Sequence, residues 1–330
     1  MNKNIGYAIA FALALAAPFF GYPIFLMKLL CFALFACAFN LLIGFTGLLS
    51  FGHAAFFGSA GYVAGYALST LELPVELSLL LGVAVAALIG LVMGALAIRR
   101  QGIYFTMITL ALAQMVYFLA LQSPFTGGED GLQGVPRGVL LGMIDLSNDK
   151  VMYYFVLAIA VGGFALIMRT VHSPFGQVLK AIKENEPRAI SLGYDVDKYK
   201  LMAFVLSAAL AGLAGATKTL VLGFETLTDV HWAMSGLVVL MTLVGGMGTL
   251  AGPIVGAIII IALENKLGDF GIFLARQTDI EWFRSLGESV SLVSGVIFVV
   301  CVLLFRRGIV GEIIAFFGAR SSGRPEKKAA

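Results

Sequence analysis

The chain has 330 residues, enough for two soluble domains, yet only 12% are charged, 22 Lys and Arg against 19 Asp and Glu, where a soluble chain carries about 25%. Hydrophobic residues make up 60% and mean hydropathy is +0.96, which disfavours solvated globular folds and points to an all-α polytopic membrane protein. The net charge of +3 informs only through where the Lys and Arg fall. Cys31, Cys37 and Cys301 sit in apolar runs without ligand spacing, so neither a disulfide framework nor a metal site is expected.

About ten transmembrane helices are expected, at 5–20, 26–43, 53–70, 76–97, 103–122, 151–169, 200–222, 234–247, 252–265 and 287–305. The first segment, with Lys3 and small residues before Pro18, is read as a retained helix, with a signal peptide as the alternative. After the second span comes a glycine cluster, Gly44, Gly47 and Gly52, with Ser50 and His53 at its end. The connection 123–150 contains Thr126, Gly127, Gly128, Glu129, Asp130 and Gly131, whose glycines permit positive φ. The connection 171–199 is the one long amphipathic stretch. Val178, Leu179 and Ile182 share a helical face, Pro187 suits the first turn of a second short helix, and Gly193 suits its stop. Glu184, Glu186, Asp195 and Asp197 mixed with the lysines suit a protein partner better than anionic lipid. Lys218, one turn from the end of its span, is expected to snorkel to the interface. A second cluster, Gly245, Gly246, Gly248 and Gly252 followed by Pro253, breaks the eighth and ninth spans. Residues 306–330 form a basic tail behind a membrane domain of 1–305.

Fifteen of the 22 Lys and Arg fall in the connections that share a side with both termini and residues 171–199, so that face is expected to be cytoplasmic. Residues 123–150 then lie outside. Broken helix at membrane depth must border protein or a water-filled cavity, and Gly/Pro-interrupted segments in two halves of a chain point to a transport path. Close helix packing is the other reading of the same glycines. His53 is either functional or a neutral imidazole capping a broken helix. No P-loop, metalloprotease or nucleophile-elbow motif occurs. A transporter subunit energised by a cytoplasmic partner fits these features.

Five stretches resemble a known family: NLLIGFTGLLSFGHAAFFGSAGYVAGY from Asn40, RRQGIYFTMITLALAQM from Arg99, TGGEDGL from Thr126, SPFGQVLKAIKENEPRAISLGYDVDKYK from Ser173 and LVGGMGTLAGPIVGA from Leu243. They are similar to membrane permease subunits of bacterial branched-chain amino-acid ABC transporters, the LivM type. That resemblance implies a multi-pass protein of the bacterial cytoplasmic (inner) membrane with no catalytic residue or cofactor of its own. Its implied partners are a second related permease, two cytoplasmic ATP-binding subunits that use ATP and Mg, and an extracytoplasmic substrate-binding protein, with no nucleic acid. In the family's coupling pattern Ala189 and Gly193 keep their spacing, whereas Pro187 and Arg188 depart from it. Related permeases carry urea, short amides or other amino acids, and an ion-coupled carrier or channel is the rival of another class.

Overall fold

Apolar composition leaves each helix to satisfy its own backbone, and polar residues and prolines mark the starts of most of those that follow polar connections. The computed structural model describes residues 11–19 and 21–278, the backbone alone for 266–278, together with 295, 296, 299, 303 and 308–312. Among the described residues, eleven α-helices have both ends defined, in chain order: α1 (Pro23–Phe45), α2 (His53–Ser69), α3 (Val75–Ala97), α4 (Ile103–Gln122), α5 (Asp149–His172), α6 (Pro174–Glu184), α7 (Glu186–Ser191), α8 (Val196–Leu222), α9 (Leu227–Val230), α10 (Trp232–Gly245) and α11 (Gly252–Thr278). Between α4 and α5 lie β1 (Leu132–Gln133), β2 (Val139–Leu140) and β3 (Ile144–Asp145), and β4 (Phe224–Glu225) follows α8. β1 pairs antiparallel with β4 and β2 with β3.

Side-chain caps at polar boundaries explain several starts. Asn148 accepts from the Lys150 N–H, Ser173 from Gly176, Asn185 from Arg188 and Asp195 from Lys198. Pro174 and Pro187 sit in the first turns of α6 and α7, where no donor is missed. Gly223, with φ +75°, stops α8.

Five helices, α1, α3, α4, α5 and α8, are long and apolar enough to cross a bilayer, and α10 and residues 252–265 of α11 are shorter apolar helices. The expected count of ten spans is therefore not reached among the described residues. The span expected at 53–70 forms a helix of 17 residues and that at 234–247 one of 14, short for a hydrocarbon layer about 30 Å thick. The span at 287–305, the tail 306–330 and the first ten residues lie largely or wholly outside the described residues.

The chain divides into two units, 1–237 and 238–330. In the first, α8 packs against α1, α2 and α3. Lipid tails give helices no hydrophobic reason to associate, so close backbone approach through small residues has to hold them. A Cβ at Gly215 would collide with the Phe57 carbonyl oxygen, one at Gly212 with Ala86, and one at Gly82 would stand 2.8 Å from the Ala60 carbonyl oxygen. Gly215→Ala is thus expected to cost about 1–3 kcal/mol by overpacking, whereas Gly162→Ala, with open space around its Cβ position, should leave thermal unfolding unchanged. Equal melting of the two variants would refute this packing account.

Candidate functional site

Both glycine clusters are helix-to-helix connections built alike. Residues 46–52 join α1 to α2, and residues 246–251 join α10 to α11. Each holds a glycine in the left-handed region, Gly47 at φ +78° and Gly248 at +79°, with Gly246 at +124° beside the latter. In each, a hydroxyl takes the N–H of a glycine at the start of the next helix: Ser50 Oγ from Gly52, which immediately precedes α2, at 3.1 Å, and Thr249 Oγ1 from Gly252, the first residue of α11, at 3.0 Å. A Cβ at Gly52 would stand 2.7 Å from Met93 Cε, one at Gly245 would strike the Gly252 carbonyl, and one at Gly252 would strike the Thr249 hydroxyl and the Gly246 carbonyl. Pro253 falls in the first turn of α11, where its missing N–H costs nothing. These contacts account for the glycines as turn and close-approach positions within each unit.

His53 opens α2 in the interior, fully buried among Phe39, Phe56 and Phe204. Its Nε2 lies 2.8 Å from Ser207 Oγ, and the Ser207 hydroxyl donates to the Ala38 carbonyl at 2.6 Å. Since that hydroxyl has one proton, already given to Ala38, Nε2 must carry the hydrogen donated to Oγ. The imidazole thereby ties α1, α2 and α8 together, in keeping with a neutral ring held beside a broken helix. His53→Leu is expected to lower stability by about 1–3 kcal/mol, and Ser207→Ala to add little on top of it; full additivity in a double-mutant cycle would count against the knot.

At the end of the bundle carrying residues 174–194, α6 turns its apolar side inward. Leu179 and Ile182 are buried, and Ile182 packs with Ala189 and Val196, flanked by Val178 and Tyr199. The face expected to meet a partner is therefore occupied by α7 and the start of α8. Glu186 is also engaged internally, accepting from Lys200 Nζ at 2.7 Å and Gln101 Nε2 at 3.0 Å. Glu184 is exposed, and Gly193, at φ +86° with open space around it, makes the turn after α7. Lys183 Nζ donates to the Gly44 carbonyl at 2.7 Å, and its stem covers Gly47. The first glycine connection and α6 are thus in direct contact. Left exposed are Ile190 at 57%, Leu192 at 68% and Tyr194 at 40%, an apolar patch that the amphipathic pattern of α6 gave no means of finding.

The opposite end holds what the sequence reading missed most. Lys218 does not snorkel: its side chain is 4% exposed, with Nζ 3.1 Å from Glu225 Oε2 and 2.5 Å from Asp229 Oδ2. Thr219 Oγ1 donates to Glu225 Oε2 at 2.5 Å, and Thr226 to Asp229 Oδ2 through its N–H and hydroxyl. α2 makes room with glycines one turn apart on the same face: a Cβ at Gly61 would stand 2.6 Å from Glu225 Cδ, and one at Gly65 2.6 Å from Leu132 Cδ2. In the expected outer motif, Thr126 is buried with its hydroxyl donated to the Ala120 and Ser123 carbonyls, while Glu129 and Asp130 are exposed. Gly127, Gly128 and Gly131 all have positive φ, and a side chain at Gly131 would strike Glu225. The motif is a seat for β4.

This helical, glycine-packed arrangement coincides with a family match: residues 22–303 match the family described as the permease component of the branched-chain amino acid transport system. The chain belongs to that family. This permease component is similar to the high-affinity branched-chain amino acid transport system permease protein LivM of Salmonella typhimurium and of Escherichia coli, each 28% identical over 254 residues, 70% of this chain. It is also similar to the autoinducer 2 import system permease protein LsrC of Klebsiella pneumoniae, 29% identical over 197 residues, 56% of this chain and 53% of LsrC. The permease component spans about 60% of the length of the LivM proteins it matches. Family membership accounts for the apolar helices as those of an integral membrane protein of transport type.

Proposed function

We propose that the chain is the membrane-spanning permease subunit of an ATP-driven importer of leucine, isoleucine and valine in the bacterial cytoplasmic membrane, with both termini in the cytoplasm. The observation that carries this reading is the family match along 22–303, in a chain without a nucleotide-binding motif. A binding protein delivers substrate at the end carrying residues 123–150. Two ATP-binding subunits, holding ATP and Mg, dock at the end carrying 174–194, and a second related permease completes the path.

The chain performs no covalent step; it changes which side of the membrane the path faces. Ile190, Leu192 and Tyr194 supply an exposed apolar contact for the ATP-binding subunit, and Lys183 passes displacement of α6 to the α1–α2 connection through its bond to Gly44. The glycines of the two connections, Gly47 and Gly248 above all, are the positions that allow those joints to flex. A branched apolar side chain needs a path of width and weak contacts, and neither connection contains Asp, Lys or Arg.

The test is reconstitution of the complete transporter in vesicles with labelled substrate. ATP-dependent uptake of leucine, outcompeted by isoleucine and valine, is expected. Uptake of urea, an amide or the autoinducer 2 named for LsrC in place of leucine would reassign the substrate. Uptake driven by an ion gradient without ATP-binding subunits would overturn the importer class.

A further inference from the structure

The connection 123–150 presents large apolar side chains to the surroundings at one place. Val139 is 46% exposed, Leu141 73%, Met143 88% and Ile144 45%, all on the hairpin formed by β2 and β3. Water-facing loops seldom display such a group, and an exposed apolar cluster marks contact with something apolar.

The base of this hairpin is built and anchored. Leu146 is fully buried and its N–H donates to the Gly138 carbonyl at 3.3 Å. Arg137 pairs with Asp149 at 2.5 Å and reaches the Ser147 and Val221 carbonyls. The tip is held to α3 from the side. The Leu141 N–H donates to the Glu76 carboxylate, and Gly138 lies against Val75, so closely that a Cβ there would stand 2.7 Å from Val75 Cγ2. Leu141 keeps φ +51°, a conformation that β-branched or bulky residues seldom adopt, so the turn is fixed by its surroundings.

What lies beside the tip decides the occupant. α3, long and apolar enough to cross the bilayer, has one face buried, through Gly82, Ala86, Gly90 and Gly94, and the other exposed. Its exposed stripe begins at Leu77 (50%) and Leu80 (63%) and continues through Leu88 and Leu91, the face a single spanning helix turns to lipid. Glu76, which grips the hairpin, immediately precedes that stripe. The apolar tip therefore stands at the depth where the lipid-facing surface of α3 starts, with Glu76 engaged by the Leu141 N–H beside it and the charged groups Asp145 and Arg137 toward its base.

We infer that the β2–β3 hairpin is a foot whose tip, Leu141 to Ile144, rests in the headgroup and upper acyl layer of the bilayer beside the first turns of α3. An amphipathic element of this kind lies in the interface by burying apolar area while its polar base stays wet. The foot holds the connection 123–150 at a set height over the membrane. This inference does not depend on which substrate is carried.

The test uses the full chain, with Cys31, Cys37 and Cys301 replaced by Ala, in lipid nanodiscs. An environment-sensitive fluorophore is attached in separate samples to Met143→Cys and to Gln133→Cys, the latter on β1 away from the tip. At 143 a blue-shifted emission is expected, quenched severalfold more by lipids brominated near the headgroup than by aqueous iodide. At 133 the order should reverse. Iodide quenching at 143 with no response to brominated lipid would overturn the foot. So would a blue shift at 143 that arises only when a binding protein or second permease is added, since the tip would then be a protein contact.

Discussion

Lys218→Met should be among the most damaging single substitutions in the chain. It leaves Glu225 and Asp229, at 0% and 6% side-chain exposure, without the ammonium that both of them address. Removing one partner from a buried ion pair costs about 3–5 kcal/mol, because the desolvated charge that stays behind has no compensation. The drop should be read as a fall in thermal unfolding temperature of the purified protein in detergent and in nanodiscs. Neutralising the whole group with Lys218→Met, Glu225→Gln and Asp229→Asn together should recover most of the loss, since nothing ionised is then stranded. A single variant as stable as the parent would show that water reaches this group. A triple variant no better than the single would show that shape, rather than charge, holds it.

The second large effect separates two isoleucines eight positions apart. Ile182 is 3% exposed and packs with Ala189 and Val196; Ile190 is 57% exposed. Ile182→Asp places a carboxylate in that small core and is expected to detach α6 from α7, costing several kcal/mol and exposing 174–194 to protease. Ile190→Asp should leave the fold and insertion unchanged while abolishing assembly with ATP-binding subunits, measured by copurification. Full assembly and transport in the Ile190→Asp protein would remove the exposed patch from the docking surface. Resistance of Ile182→Asp to protease would contradict the inward packing of α6.

The spans were the most legible part of the chain. The expected 103–122 and 76–97 correspond to Ile103–Gln122 and Val75–Ala97, because a helix in lipid must be apolar along its whole length and its ends announce themselves as polar residues. The two short helices after α5 were legible from local chemistry, since Pro187 has the fixed φ of a first helical turn and Gly193 tolerates the positive φ of a stop. What covers an apolar face is a different question. The period of α6 shows that Leu179 and Ile182 need cover and is silent on whether α7 or another chain supplies it. Lys218 was misread because its partners lie 7 and 11 residues onward, beyond the left-handed stop at Gly223, where helical spacing no longer relates positions. The available signal was two acids in the short connection directly after a span containing a lone lysine. The neutral imidazole at a broken helix was one of the two readings of His53; its partner was not legible, because the bond to Ser207 joins positions 154 apart.

The lysines of α8 constrain how that helix can move. Lys200 is bound to Glu186 at one end and Lys218 to Glu225 and Asp229 at the other. The interval between them is five whole turns at about 3.6 residues per turn, a rise of about 27 Å, so both ammonium groups leave the helix in the same direction. Turning the helix about its own axis by a single residue, about 100°, would swing both groups out of register at once and strand three buried or half-buried carboxylates. Sliding or tilting keeps both joints closed, provided that α7 and the β4–α9 segment travel with it. In α8 the chain therefore has a rod that cannot spin: a push delivered at one membrane face arrives at the other as a shift in height or angle.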